Sequence, residues 1–190
     1  GSNGKSTVTQ LVGIMAKEAG INVQVGGNIG RPVLDILSED CELYILELSS
    51  FQLEMCSNLS SFVSCVLNIT EDHLDRHGTL QNYINIKKKI YKNSNTCVFN
   101  RDDNSTYPSI DINNNLISFG LDKADKNNYG LIKVNNATYI SKGEMKLIDK
   151  KILSLSEDHN LLNIMSAVAI ARSLKINITS ITSAINKFNG

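Results

Sequence analysis

Apolar positions in the first half of the chain follow either a helical or an extended spacing. Val8, Leu11, Val12 and Met15 recur at the spacing of one helix face, which predicts a helix over residues 6–19. Short continuous apolar runs, by contrast, are typical of strands that are buried on both faces. These runs and one further helical pattern predict strands at 21–25, 43–48, 62–67 and 96–99 and a helix at 79–93.

The pattern changes near Asn104, where clusters of asparagine separate short alternating segments. Asparagine is a turn residue, and alternating apolar and polar positions indicate strands with one solvated face. We therefore predict a small antiparallel meander with strands at 116–119, 131–134 and 138–140. Helical spacing returns at 158–174, and a last helix is predicted to begin near Thr179.

Charge and cysteine content narrow the choice of partners. The 19 basic and 19 acidic side chains cancel to a net charge of zero, so we expect no nucleic-acid or membrane partner. The apolar runs are too short to span a bilayer. The 4 cysteines are scattered, and Cys65 and Cys97 lie in apolar runs where core packing is favoured over metal binding. We expect a soluble protein of the reducing cytoplasm.

The first seven residues have the composition of a phosphate-binding loop that runs directly into a helix. They are Gly1, Ser2, Asn3, Gly4, Lys5, Ser6 and Thr7. Small residues allow backbone N–H groups to surround phosphate oxygens, Lys5 adds a charge for the outer phosphates, and the Ser6 hydroxyl can reach a magnesium ion. The general pattern also has an earlier glycine and a preceding strand. Since neither is present, we expect this chain to be an excerpt of a longer protein.

The phosphate loop and the apolar strands together predict the fold class. Continuous apolar strands separated by helices are typical of a parallel sheet covered on both faces. We predict an α/β fold with a mostly parallel sheet of the P-loop type, helices on both faces and a small antiparallel β extension. The 190 residues, without repeat or long linker, are enough for one such domain.

Acidic and imidazole side chains follow two of the predicted strands. Glu47 ends an apolar strand, where a magnesium ligand is expected beside a phosphate loop, although ordinary strand-end carboxylates are common too. The segment 67–77 follows the next strand and contains three acids, two histidines and an arginine, among them His73. This density favours a functional role over a solvated loop with a helix cap, but composition does not assign the role to a particular residue.

Two sets of polar residues lie on predicted helices. Lys87, Lys88 and Lys89 form a run of the kind that usually marks a solvated helix face, and we expect Lys88 and Lys89 to lie on such a face. Asn160 and Asn163 would share one side of the later helix. The functional interpretation is amide hydrogen bonding to a purine base, and the simpler interpretation of this segment is helix capping by Asp158.

These motifs resemble the ATP-dependent Mur ligases of peptidoglycan synthesis, and the resemblance covers the whole chain as their central ATP-binding domain. The phosphate loop of that family also lacks the earlier glycine. Segments 27–30, 47–54 and 68–76 resemble the family member that adds D-glutamate, and His159-Asn160-x-x-Asn163 resembles the family motif near adenine.

The resemblance implies roles for individual residues. Lys5, His73 and Lys87 would be catalytic. Ser6 and Glu47 would bind a first Mg²⁺ and His73 a second, and Lys87 would be carbamylated and act at the metal. The phosphate-loop residues 1–7 would bind ATP together with His159, Asn160 and Asn163. Substrate-binding positions would be Gly27, Asn28, Ser49 and Thr70.

The implied activity is ATP-dependent ligation through an acyl phosphate, with D-glutamate added to UDP-N-acetylmuramoyl-L-alanine. Residues 1–190 would then be the central domain, between a UDP-binding domain and an amino-acid-binding domain, and would be inactive alone. The full-length protein is expected to be a monomer. Two alternatives remain: another Mur or folylpolyglutamate-type ligase, and a P-loop ATPase that acts as a conformational switch.

Overall fold

A computed structural model describes residues 2–109, 114–153 and 157–188. Gly1, one of the predicted ATP-binding residues, lies outside these ranges. The helices are α1 (Lys5–Glu18), α2 (Ser50–Met55), α3 (Leu74–His77), α4 (Leu80–Lys88), α5 (Asp158–Ser173) and α6 (Ile178–Lys187). The strands are β1 (Val23–Gly27), β2 (Leu43–Glu47), β3 (Ser61–Val66), β4 (Ser94–Asn100), β5 (Asn115–Phe119), β6 (Tyr129–Val134), β7 (Ala137–Lys142) and β8 (Met145–Asp149).

The strands form two sheets. β1 and β2 pair in parallel, and the other strands form a six-stranded sheet in the order β3-β4-β5-β6-β7-β8. Pairing is parallel from β3 to β6 and antiparallel from β6 to β8. The mostly parallel α/β fold with an antiparallel extension is therefore confirmed.

Two details of the predicted meander were wrong. The strand predicted at 116–119 belongs to the parallel part of the sheet, because β5 pairs with β4 over its full length and meets β6 through a single bridge, Phe119 to Tyr129. The third antiparallel strand is β8, which sequence analysis did not identify. Its burial pattern shows little alternation: two exposed residues are followed by three that are at least half-buried.

Helices cover both faces of the sheet, as predicted. On one face α1, α5 and α6 enclose the main core, where Leu11, Met15, Met165 and Ile181 are fully buried. α5 is buried at nearly every position from Ile164 to Ala171 because it packs against the sheet as well as against α1.

A smaller core on the opposite face lies under α4. It contains Val66, Ile69, Tyr83, Tyr91 and Cys97. The helix predicted at 79–93 is shorter in the structure: α4 ends at Lys88, and a 3₁₀ turn at Lys89–Tyr91 follows. The Tyr91 ring is fully buried there, and its hydroxyl lies within hydrogen-bond distance of the Val98 and Thr106 carbonyls.

Candidate nucleotide and metal site

The phosphate loop turns into α1 through a left-handed residue. Gly4 has φ +77°, which disfavours residues with a β-carbon, and a β-carbon there would lie 2.2 Å from Asn163 Oδ1 and displace that side chain. Among the residues that the structure describes, no side chain caps α1, and the first turn of this helix carries no acidic residue. The first backbone N–H groups of this 14-residue helix are therefore available to an anion.

Asn68, two residues beyond the end of β3, holds the loop in place. Its Oδ1 accepts hydrogen bonds from the backbone N–H groups of Ser2 (2.9 Å) and Asn3 (2.8 Å), and its Nδ2 donates to the Asn3 carbonyl at 3.0 Å. Ser2 and Thr70 are joined as well, since the Thr70 N–H donates to Ser2 Oγ and Ser2 Oγ donates to the Thr70 carbonyl. The phosphate loop and the segment after β3 thus form one edge.

Glu47 lies at the end of β2 and is only 4% exposed. Its Oε2 accepts a hydrogen bond from Ser6 Oγ at 2.8 Å, and its Oε1 accepts one from Asn28 Nδ2 at 3.0 Å. Gly27 permits its own backbone to lie close to that of Glu47, because a β-carbon there would lie 2.4 Å from the Glu47 carbonyl oxygen. The structure therefore brings together the two predicted ligands of the first metal and two of the four predicted substrate-binding residues, Gly27 and Asn28.

The Ser6 and Glu47 oxygens suit a hard cation. Mg²⁺ prefers oxygen ligands and is usually held by one or two carboxylates together with substrate phosphates and water. Within the described ranges no group of three or more His, Cys, Asp or Glu side chains could hold a metal. The donor set therefore fits an ion that shares its ligands with a phosphate better than an ion enclosed by protein.

Lys5, Glu47 and Lys87 line one cavity of about 410 Å³. The Lys5 ammonium is turned back and donates to the Ser2 carbonyl at 3.1 Å. Lys87 is 5% exposed, and its Nζ lies 4.6 Å from the centre of the Tyr83 ring. Burial lowers the pKa of Lys87, and the Asp72 carboxylate opposes this shift. A lowered pKa increases the neutral fraction of the amine at neutral pH.

His73 lies at the edge of the site. It takes the left-handed conformation at the N-terminus of α3, with φ +52°. Its side chain is about half-exposed, with Nε2 3.5 Å from Asp72 Oδ2 and the ring 5.1 Å from that of Phe51. His73 does not line the cavity that contains Lys5 and Glu47. We call the hydrogen-bonded group of Ser6, Asn28 and Glu47 the Glu47 cluster. The structure thus places His73 in the loop after β3, outside the Glu47 cluster.

The residues predicted to lie near the adenine do not all line the same cavity. Asn160 and Asn163 line a small cavity with Thr7, whereas His159 is exposed and pairs with Glu157 at 3.5 Å. Asp158 does not cap α5, because the N-cap is Glu157 and it makes no side-chain cap bond. Ser49 caps α2 through a reciprocal pair of hydrogen bonds with Gln52.

Of the three consecutive lysines at 87–89, Lys88 does not lie on a fully solvated helix face as predicted. Lys89 is exposed, as expected for a solvated face, but Lys88 is half-buried, and burial lowers its pKa. Lys87 is the buried member, in line with its helical phase relative to Tyr83.

Sequence reasoning did not assign site roles to Asn68, Asp72, Tyr83 and His77. Burial raises the pKa of Tyr83, and a hydrogen bond with Ser2 opposes the shift. The His77 ring is buried, with Nε2 3.0 Å from Ser50 Oγ, and makes tilted contacts with the rings of Phe51 and Tyr83. Asn68 could have been found from its position, one residue beyond a predicted strand.

Comparison with known proteins places the chain in a family. The model of the Mur ligase middle domain matches residues 1–171. Over 190 residues the chain is 44% identical to UDP-N-acetylmuramoylalanine–D-glutamate ligase of Aliivibrio fischeri (strain MJ11), and over 192 residues it is 46% identical to the ligase of that name from Escherichia coli (strain K12). All of the chain is covered in both comparisons, and it spans 42% and 43% of these relatives' lengths.

Solved structures agree at the level of the fold. A MurF structure from Acinetobacter baumannii superposes with a TM-score of 0.73 at 18% identity, over 100% of this chain and 44% of that one. The UDP-N-acetylmuramate-alanine ligase MurC of Thermotoga maritima gives 0.66 at 22% identity, over 99% and 43%. The chain therefore belongs to the Mur ligase family and corresponds to its middle domain.

Proposed function

We propose that this chain is the ATP-binding domain of a ligase that joins D-glutamate to UDP-N-acetylmuramoyl-L-alanine, with formation of ADP and phosphate. The observation that carries the proposal is the Glu47 cluster, in which one carboxylate joins the phosphate-loop hydroxyl of Ser6 to Asn28. A metal-bound phosphate and a second substrate can meet there. The choice of D-glutamate is supported by the names and the 44–46% identity of the relatives.

The reaction would proceed in two steps. The alanyl carboxylate of the muramoyl substrate attacks the γ-phosphorus of ATP, which gives an acyl phosphate and ADP. The amine of D-glutamate then attacks the acyl carbon, loses a proton, and releases phosphate. In the first step Lys5 and the N-terminal amides of α1 stabilise the negative charge of the transferring group. Gly27 and Asn28 hold the muramoyl substrate beside Glu47, and Ser49 and Thr70 contact it from the neighbouring loops.

Two Mg²⁺ ions would reduce the charge repulsion between the attacking carboxylate and the phosphates. Ser6 and Glu47 would hold the first, since both oxygens already lie 2.8 Å apart. His73 would hold the second from the edge of the site, where about half of its side chain is accessible. Asn160 and Asn163, beside Thr7, would contact the adenine, with His159 near them.

Lys87 would act as a carbamate. Its amine is buried and its pKa is lowered, so a neutral nitrogen is available to form a bond to the carbon of CO₂ and to release a proton. The product carries a negative charge in place of a positive one. This change favours a neighbouring metal ion, which an ammonium group would repel.

The chain would act within a longer cytoplasmic protein, as a central domain between a UDP-binding domain and an amino-acid-binding domain, and that protein would be a monomer. The lengths of the relatives support a longer protein, because the chain spans less than half of them. Domain closure would then exclude water from the acyl phosphate.

The test is ADP release by the full-length protein supplied with ATP, Mg²⁺ and UDP-N-acetylmuramoyl-L-alanine, with D- or L-glutamate as acceptor. We expect sustained ADP formation with D-glutamate and little with L-glutamate. Preference for another amino acid would assign the protein to a different ligase of the family. ADP formation that needs no acceptor would favour a conformational ATPase.

A further inference from the structure

Asn68, which holds the phosphate loop, is itself held by the end of the neighbouring strand β4. Asn100 is the last residue of β4, and Asp103 follows it by three positions. Asn100 Nδ2 donates a hydrogen bond to the Leu67 carbonyl at 3.1 Å. Asp103 Oδ2 accepts one from the Ile69 N–H at 2.8 Å. These bonds engage the peptide groups immediately before and after Asn68, so the backbone is fixed on both sides of that residue.

The carboxylate of Asp103 is held by a hydrogen-bonded turn. Its Oδ1 accepts the Ser105 N–H at 2.9 Å and so caps the 3₁₀ turn that follows, which leaves Oδ2 for Ile69. Thr106 is fully buried, and its hydroxyl lies within hydrogen-bond distance of the Asn100 carbonyl (2.7 Å) and the Asp103 carbonyl (2.9 Å). The two residues that fix the Asn68 backbone therefore belong to one closed turn after β4.

Asp103 also interacts electrostatically with Lys88, the half-buried lysine of α4. Burial lowers the pKa of Lys88, and the Asp103 carboxylate opposes this shift. A nearby opposite charge favours the charged form of a lysine that has lost part of its contact with water. Asp103 therefore stabilises a group of α4 as well as the segment after β3.

These contacts continue from Asn68 to the phosphate loop. Asn68 Oδ1 accepts the N–H groups of Ser2 and Asn3, and the Asn68 carbonyl also accepts the Ser2 N–H at 2.9 Å. Because an asparagine side chain is short, it moves with its own backbone. A shift of the backbone at Asn68 would therefore change the shape of the phosphate loop.

We propose that Asn100 and Asp103 are positioning residues for the phosphate loop. They fix the backbone on both sides of Asn68, so that its side chain holds the loop in the shape that binds the triphosphate. Asp103 acts through Asn68 rather than on a reacting atom. The inference rests on the proposed function, since ATP is the ligand of the loop there. It extends the site from the ends of β2 and β3 to the end of β4, which is the neighbour of β3 in the sheet.

Two adjacent acids provide a matched test. Asp102 and Asp103 each accept a backbone N–H at 2.8 Å from a distant segment, but Asp102 accepts that of Leu121, which follows β5. Asp103→Ser keeps a hydroxyl that can cap the turn and loses the oxygen that reaches Ile69. Asp103→Ser and Asp102→Ser therefore each remove one negative charge and one bond of the same kind, and only the first releases the backbone at Asn68.

Isothermal titration of the full-length protein with ATP and Mg²⁺ measures the effect on the loop. We expect the Kd for ATP to rise about fivefold or more in Asp103→Ser and to stay within about twofold of the wild type in Asp102→Ser. Loss of a negative charge near a triphosphate would by itself strengthen binding, so a charge effect predicts the opposite result. Equal affinities for the two variants would overturn the proposal.

A double variant tests whether Asp103 acts through Asn68. Asn68→Ala combined with Asp103→Ser should bind ATP no more weakly than Asn68→Ala alone, because both changes release the same contact with the loop. Effects on the Kd that simply multiply in the double variant would show that the two residues act independently, and this result would overturn the proposal as well.

Hydrogen exchange of the ligand-free protein gives a readout that needs neither ATP nor turnover. Relative to the amides of β4, which report global unfolding, the Ser2 and Asn3 amides should exchange about fivefold faster or more in Asp103→Ser and at the wild-type rate in Asp102→Ser. Unchanged exchange in Asp103→Ser would overturn the inference even if the protein is a ligase. Faster exchange together with an absence of ligation would contradict only the proposed function.

Discussion

At the scale of single residues, Gly4 shows how backbone conformation and packing together select one side chain. Its φ of +77° disfavours any residue with a β-carbon, and Asn163 occupies the space that this carbon would need. Gly20 provides a comparison, because its φ is +79° and nothing lies within 4 Å of its virtual β-carbon. A comparison of substitutions at Gly4 and Gly20 therefore distinguishes the effect of backbone strain, which both share, from the effect of the contact with Asn163, which only Gly4 has.

We predict that Gly4→Ala abolishes measurable ATP binding in the full-length protein, whereas Gly20→Ala leaves it unchanged. Both variants should lose roughly 1–2 kcal/mol of stability from the left-handed conformation. Isothermal titration with ATP and urea unfolding of each variant measure the two effects. Equal ATP affinities for the two variants would show that Gly4 does not shape the nucleotide site.

Glu47 is the residue on which the proposed metal site depends. Replacement by glutamine keeps the size of the side chain and can keep the contacts to Ser6 and Asn28, but it removes the negative charge. We expect Glu47→Gln to lower kcat about 100-fold or more and to raise the Mg²⁺ concentration needed for half-maximal rate. Glu39→Gln, at an exposed position, is the control and should behave as the wild type. An unchanged Mg²⁺ requirement in Glu47→Gln would exclude Glu47 as a ligand.

Lys87 can be tested by chemical rescue. Lys87→Ala should lower ligation about 100-fold or more, and added acetate should restore part of it, because a free carboxylate can replace the carbamate in the cavity left by the side chain. Lys89→Ala is the matched control, since Lys89 is exposed on the same run. A Lys87→Ala enzyme with full activity, or one that acetate does not restore at all, would argue against the carbamate.

At the scale of secondary-structure elements, the site depends on loops that follow parallel strands. The carboxyl ends of such strands meet at one edge of a sheet, which is why Glu47 at the end of β2 and Asn68 after β3 both reach the phosphate loop. Asn68 alone makes three side-chain hydrogen bonds to Ser2 and Asn3. Its role is to position the loop rather than to touch a reacting atom.

We predict that Asn68→Ala weakens ATP binding and leaves chemistry less affected. The loss of the bonds to two loop amides should cost roughly 1–3 kcal/mol, or roughly a 5- to 150-fold increase in the KM for ATP. Steady-state kinetics of the full-length protein separate KM from kcat. Asn85→Ala, on the exposed side of α4, should leave both constants unchanged. A fall in kcat without any change in KM would assign Asn68 a different role.

The positions of the helices and strands could be predicted from the sequence more accurately than the pairing of the strands in the sheet. The parallel strands and α1 were predicted because continuous apolar runs and a helical stripe are local signals. The strand at 116–119 was assigned to the meander because it lies between asparagine clusters, whereas in the structure it pairs in parallel with β4. Pairing depends on distant segments, and β8 has little alternation to mark it.

For the candidate site too, residues with a local sequence signal could be predicted, and contacts between distant segments could not. Phosphate-loop residues and Glu47 could be predicted because composition and strand ends carry the signal. The contacts of Asn68 and Tyr83 could not, since they depend on how the segment after β3 and α4 pack against the loop.

At the scale of the whole molecule, two cores on opposite faces of the sheet hold the site at its carboxyl edge. α1 belongs to the main core and α4 to the smaller one, so Ser6 and Lys87 approach the edge from opposite faces. Under the proposed function, this chain would supply the nucleotide, metal and part of the substrate contacts, and other domains of a longer protein would supply the rest. The 190-residue chain alone is expected to bind ATP weakly and not to turn it over.

The central claim is that the phosphate loop surrounds a triphosphate whose metal is held by Ser6 and Glu47. Its most direct test is the anomalous difference map of full-length crystals grown with Mn²⁺ and a non-hydrolysable ATP analogue. We predict a peak about 2.1 Å from Ser6 Oγ and from a Glu47 oxygen, in contact with a phosphate oxygen beside the α1 N-terminus. A Mn²⁺ peak on the nucleotide with Glu47 still bound only to Ser6 and Asn28 would contradict the account.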